Sequence, residues 1–94
     1  MDYSAVHNRH EAAVFEAVCA AAEHYPGIAE DPELLADVAC VALNRVPPHY
    51  IRHSTDLAFF TTEKERQTIR RVIDESVDFA YGYVQARHVM AARR

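Results

Sequence analysis

The sequence predicts a mainly α, single-domain protein over residues 1–94. It should have three to four helices and a short extended or hairpin segment around residues 49–60. Three observations carry that reading. Apolar residues recur at helical spacing in two stretches, and a third stretch is apolar almost all the way round. Each of the three is bounded by helix start or stop signals. The chain has 94 residues, half of them apolar, with no internal repeat and no low-complexity segment, which is the size of one domain with a small core.

The first helix is expected to begin at "NRHE", where Asn8 would be the cap and Glu11 would complete a capping box. Val14, Phe15, Val18, Cys19 and Ala22 then share one face, and "YPG" at 25–27 stops the helix. The second helix has Asp31 as N-cap, Pro32 at the first helical position and Glu33 facing the positive end of the dipole. Its run "LLADVACVAL" leaves little polar face, so it should be buried on more than one side, against the rest of the domain or a second subunit. Pro47 and Pro48 end it, since the residue before a proline is pushed out of the α region. "HYIRHSTDLAFF" reads as extended or hairpin backbone, with β-branched and aromatic residues and a turn signal at "STD". In "TTEKE", Thr62 and Glu65 form a second capping box. A long helix follows to about residue 90, its stripe carried by Ile69, Val72, Ile73, Ser76, Val77, Ala80, Tyr83, Val84 and Arg87. Gly82 inside it disfavours helix by roughly 1 kcal/mol against Ala, which suggests a close helix approach or a mild kink.

Charge narrows the function classes. A formal net charge of −4 argues against general nucleic-acid binding, which calls for a basic face. The charges are unevenly placed. Glu23, Glu30, Asp31, Glu33 and Asp37 lie in a stretch without Lys or Arg, whereas residues 45–53 carry Arg45, Arg52, His49 and His53 and no acid. No apolar run reaches membrane-spanning length and no leader-like segment opens the chain, so a soluble, cytoplasmic protein is expected. Cys19 and Cys40 sit in Ala/Val-rich runs and are expected to be buried small hydrophobes rather than a disulfide.

Catalytic and metal chemistry find little support. His7/His10 and His49/His53 have spacings that could share a helical face, but neither pair has the further ligands a zinc site needs. Surface histidines are the default. No serine sits in a nucleophile elbow, two glycines cannot build a phosphate-cradling loop, and Asp74, Glu75 and Asp78 read as a solvated helix side. The expectation is that the protein is not an enzyme and holds no cofactor.

The stretch "VALNRVPPHYIRH", residues 41–53, is different. Arg45 at a helix C-terminus is explained in part by capping of free carbonyls. Yet Arg is also suited to bidentate phosphate contact, to pairing with guanine and to stacking on rings. Arg45, Tyr50 and Arg52, stiffened by two prolines, form a set able to bind an anionic aromatic molecule such as a nucleotide. Arg9 would add a third cation if the first helix folds back onto this turn.

The same stretch resembles the ComFB family of late competence development proteins. The resemblance rests on Asp37 and then Ala42-Leu43-Asn44-Arg45-Val46-Pro47-Pro48-His49-Tyr50. "NRHEAAVFEAV" and "YPGIAEDPELLADV" are similar to the flanking family segments, so the likeness covers more than half the chain. It implies a small, mainly helical homodimer that is a receptor for cyclic dinucleotides, cyclic di-GMP foremost. A two-fold dimer presents one patch twice, which suits a two-fold ligand. The motif residues carried over are Asn44, Arg45, Pro47, Pro48 and Tyr50. Arg45 on phosphate or guanine, and Tyr50 packing or stacking, are physical inferences, and Arg9 and Arg52 are candidates outside the motif. Some family members carry cysteines before the second helix and look like zinc binders; here that loop is "GIAEDPE", so zinc is not implied.

Two functions stay open at this point. One is a cytoplasmic receptor that binds cyclic di-GMP as a homodimer and signals to an effector protein. The other is a ligand-free dimeric adaptor in which the Asn-Arg-x-Pro-Pro turn is only structural. The second helix, with the most apolar surface to hide, is the expected dimer face. DNA binding by a helix-turn-helix is disfavoured by the acidic balance.

Overall fold

A computed structural model describes residues 1–53 and 61–92. The elements in chain order are β1 (His7–Asn8), α1 (Glu11–Ala21), a 3-10 turn (Ala22–His24), α2 (Pro26–Ala29), α3 (Pro32–Arg45), β2 (Tyr50–Ile51) and α4 (Glu63–Ala92). The mainly helical fold is as expected. α3 lies along α4 over the most extensive contact in the molecule, and α1 packs against both.

The start signals of the later helices hold. Asp31 accepts from the Glu33 N–H at 2.9 Å and the Leu34 N–H at 3.4 Å, with Pro32 opening α3. Thr62 Oγ1 accepts from the Glu65 N–H at 3.1 Å, and Glu65 Oε2 accepts from the Thr62 N–H at 3.4 Å, so the second capping box is complete. α3 ends at Arg45, and Val46 turns to extended backbone ahead of the two prolines.

The start of α1 differs from expectation. Asn8 does not cap it: His10 holds the N-cap position and gives no side-chain cap, while Asn8 lies in β1. The Asn8 carboxamide bonds only two residues on, to the His10 N–H, and reaches across the chain as well. The buried face of α1 is Val14 and Val18, with Ala17 and Ala21 half-buried beside them. Phe15 and Cys19 stand about 100° further round the helix and are exposed. Cys40 is exposed too, so neither cysteine is the buried hydrophobe expected. Tyr25 breaks the helical path before Pro26, as expected of "YPG", but the chain then enters the short helix α2.

α3 buries Val38 and Ala42 fully, with Leu34, Leu35, Ala39, Val41 and Leu43 packed partly against the core. α4 contributes Ile73, Val77, Ala80, Tyr81 and Val84. Tyr81 was not on the expected stripe, yet it is fully buried. Its ring stacks on Tyr25 with centroids 4.2 Å apart, and its hydroxyl donates to the Val18 carbonyl at 2.5 Å. The reason lies at the end of α1. The Ala22 N–H bonds to Cys19, one residue short of the α-helical partner Val18, so Tyr81 supplies a donor to the Val18 carbonyl. Tyr83 and Arg87, placed on the core stripe by spacing, are exposed instead. Gly82 faces open space: a Cβ there would meet nothing within 4 Å, so close helix approach does not explain it.

The segment after the prolines is extended at Tyr50–Ile51, and its pairing partner is not local. β2 pairs antiparallel with β1, His7 opposite Ile51 and Asn8 opposite Tyr50. The turn expected at "STD" and the aromatics at 59–60 lie outside the described residues. No helix among the described residues is long and apolar enough to cross a membrane.

Candidate functional site

The β1–β2 pairing fastens the N-terminal strand to the Pro-Pro turn. The Arg9 N–H donates to the His49 carbonyl at 2.8 Å, continuing the ladder by one bond. Asn8 is buried, and its Oδ1 accepts from two main-chain groups: the His10 N–H at 3.2 Å and the His49 N–H at 3.1 Å. One carboxamide oxygen thus ties the start of α1 to the turn that follows α3. The pairing delivers Arg9 to the turn. Its Nη1 lies 3.2 Å from His49 Nδ1. A guanidinium can only donate, so this contact requires His49 as the Nε2–H tautomer, with Nδ1 the acceptor.

His10 sits beneath this junction, 6% exposed, with its ring centroid 6.4 Å from that of His49. Burial lowers its pKa below the usual histidine value, and the Arg9 charge and His49 add in the same direction. The junction therefore favours a neutral imidazole next to a permanent cation.

The sequence-derived candidates fall into two groups. Arg9, Tyr50 and Arg52 belong to the ladder or its immediate continuation, and all but Arg9 are well exposed; Tyr50 is 65% exposed. Arg45 and Asn44 end α3. The Asn44 carboxamide N–H donates back to the Cys40 carbonyl at 3.0 Å, so half of that side chain is engaged by its own helix. Arg45 leans onto α4, its guanidinium carbon 3.7 Å from the centroid of Phe79. Among the described residues, Arg9, Arg45 and Arg52 form no ion pair. Cations with no ion pair among the described residues can accept an anion without first releasing one of those carboxylates.

Two features were not foreseen. An open groove of about 700 Å³ runs between α1 and α4, with Ala17 and Ile73 in its floor. Its rim carries both signs, including Arg9, Arg66, Arg70 and Asp74, and Arg9 stands where groove and turn meet. The second feature continues from Arg45. Phe79 stacks with Tyr83, centroids 6.1 Å apart and planes 21° from parallel, and the Arg87 guanidinium lies 5.9 Å from the Tyr83 centroid. The spacing 79, 83, 87 is one residue per turn along α4, a signal present in "FAYGYVQAR" but absorbed into the expected core stripe. Among the described residues, no three His, Cys, Asp or Glu side chains gather as a metal site.

With this geometry in view, the comparison with known families is specific. The model for the family described as late competence development protein ComFB matches residues 7–88, from β1 through nearly all of α4. No curated protein and no solved structure matches the chain.

Proposed function

Because the chain belongs to the family of late competence development protein ComFB, we propose that it is a non-catalytic receptor for a cyclic dinucleotide. In this reading it binds cyclic di-GMP as a homodimer and passes its bound state to an effector protein. The observation that supports this most is the delivery of Arg9 to the Pro-Pro turn. Two backbone-directed bonds to Asn8 and one from Arg9 hold that cation beside a turn that carries Tyr50 and Arg52 and follows directly on Arg45 at the end of α3. The turn is constrained by two prolines and cationic, and among the described residues its arginines form no ion pair, which suits a phosphate. Exposed rings and guanidinium planes suit a purine. Homodimer formation fits the unburied apolar residues of a small domain, among them Val89 and Met90.

Isothermal titration with cyclic di-GMP, cyclic di-AMP and GTP tests the reading. Saturable heat with a cyclic dinucleotide supports it, and its absence at protein well above micromolar removes it. Loss of one charge-assisted contact is worth about 1.5–3 kcal/mol, so Arg45→Ala should weaken binding by roughly 10- to 150-fold.

The adaptor reading has one observation in its favour: Arg45 already has a partner, the Phe79 ring. On that reading Arg45→Ala lowers stability and there is no ligand effect to lose. Thermal melts with and without cyclic di-GMP separate the two, since a ligand of the native state raises the midpoint.

A further inference from the structure

We infer that the Arg45–Phe79–Tyr83–Arg87 ladder on α3 and α4 is the base-stacking platform of the ligand site. The bound class is a purine nucleotide, and the inference rests on the receptor reading above. It extends the site from the Pro-Pro turn, where the motif lies, along two turns of α4.

The geometry is a cation, two rings and a second cation in successive contact. Arg45 covers one end at 3.7 Å from Phe79, and Arg87 stands over the other end at 5.9 Å from Tyr83. The two rings are each 45% exposed although buried apolar positions adjoin them at Ala80 and Val84. Rings kept half in solvent, nearly parallel and flanked by guanidinium groups are what a base can stack against without rearranging the core. Stacking on aromatics is tolerant of base identity, because every base has a π-face. The flanking guanidinium groups supply charge for phosphate and planar edges for guanine. The far end of the ladder is not closed. Arg87 lines a hollow of about 200 Å³ with Leu34, Asp37 and His88, leaving room beside the last cation. Asp37 is the acid among the described residues lining that hollow and offers an acceptor to a base amino group.

The ladder also explains why Arg45 lies on Phe79 in the free chain. The ring holds the guanidinium carbon at 3.7 Å while the side chain stays exposed, so a base can add to a contact that already exists.

The test is titration of cyclic di-GMP into wild type, Phe79→Leu, Tyr83→Leu and Phe15→Leu. Phe15 is as exposed as the ladder rings, at 47%, but lies on α1. Loss of one base–ring stack should weaken binding by roughly 5- to 150-fold in each ladder variant, with Phe15→Leu at the wild-type value. Because the chain has no tryptophan, Tyr83→Trp gives a single tryptophan that can be excited selectively over the tyrosines, and its fluorescence should be quenched as ligand saturates. Wild-type affinity in both ladder leucine variants, with Arg45→Ala still impaired, overturns the platform and leaves the receptor reading standing. Absence of wild-type binding overturns both. Conversion of Tyr83→Leu from dimer to monomer in sedimentation, with Tyr83→Trp emission unresponsive to ligand, overturns the platform by making the ladder a subunit contact.

Discussion

Replacing Tyr81 by Phe removes one oxygen from the centre of the molecule and nothing else. The ring remains fully buried, and its stack on Tyr25 at 4.2 Å is untouched. What goes is the donor to the Val18 carbonyl, at the point where α1 tightens into a 3-10 turn and the Ala22 N–H has moved to Cys19. A buried carbonyl left without its partner is worth about 1–3 kcal/mol. For a domain of this size, a loss of about 2 kcal/mol lowers Tm by roughly 8–16 °C. Urea unfolding followed by far-UV circular dichroism, at fixed protein concentration, measures it through the midpoint at constant m. Tyr83→Phe is the control, since its exposed hydroxyl should matter by less than about 0.5 kcal/mol. If Tyr81→Phe is as stable as Tyr83→Phe, the Tyr81–Val18 bond does not anchor α1. The packing of α1 on α4 then rests on its apolar face and the Tyr25–Tyr81 stack instead.

The other predictions concern the same frame. Asn8→Ala leaves the His10 and His49 N–H groups without their acceptor and should destabilise by about 1–3 kcal/mol; Asn8→Asp, which keeps an oxygen there, should recover most of that loss in the same urea titration. Gly82→Ala should stabilise by about 0.5–1 kcal/mol, because the site is helical, exposed and open to a Cβ; a destabilised variant would mean that Gly82 meets a second copy in solution. Because the His10 pKa is lowered on folding, the unfolded chain binds the extra proton, so stability present above the usual histidine pKa of about 6.5 should fall as pH drops through that value. His10→Asn should flatten the Tm profile over that window, and an unchanged slope would place the titration elsewhere.

How much of this was legible in the sequence depends on how local each signal is. The caps at Asp31 and Thr62, the stop at Pro47–Pro48 and the Asn-Arg-x-Pro-Pro-x-Tyr motif are set by neighbours within four residues, and all appear as read. Asn8 fails as a cap for a non-local reason. Its local option was the helix start, but β2 offers an antiparallel partner and the His49 N–H needs an acceptor, so a contact 41 residues away wins. Periodicity also assigned the wrong neighbour on α4. Over 30 residues a 3.6-residue repeat drifts against any fixed stripe, and here Tyr81, not Tyr83, turns inward. That shift of two positions frees Tyr83 and Arg87 for the surface.

The two tyrosines thus divide the labour of α4, and the division bears on how a bound state could be transmitted. Tyr81 ties α4 to α1 through Val18, and α1 begins two residues after Arg9. Phe79, on the opposite side of the same turns, meets Arg45 at the end of α3, and Tyr83 stacks on Phe79. A ligand gripping Arg45 and the ladder therefore acts on the α3–α4 seam, while one gripping Arg9 acts on the α1–α4 seam. Binding to both at once would fix α1 relative to α3, and the two helices would become coupled through α4. If that coupling exists, Tyr81→Phe should weaken cyclic di-GMP binding even though Tyr81 is fully buried and away from the turn. A double-mutant cycle between Tyr81→Phe and Arg9→Ala measures it: a coupling above about 0.5 kcal/mol supports transmission through Val18, and strict additivity refutes it.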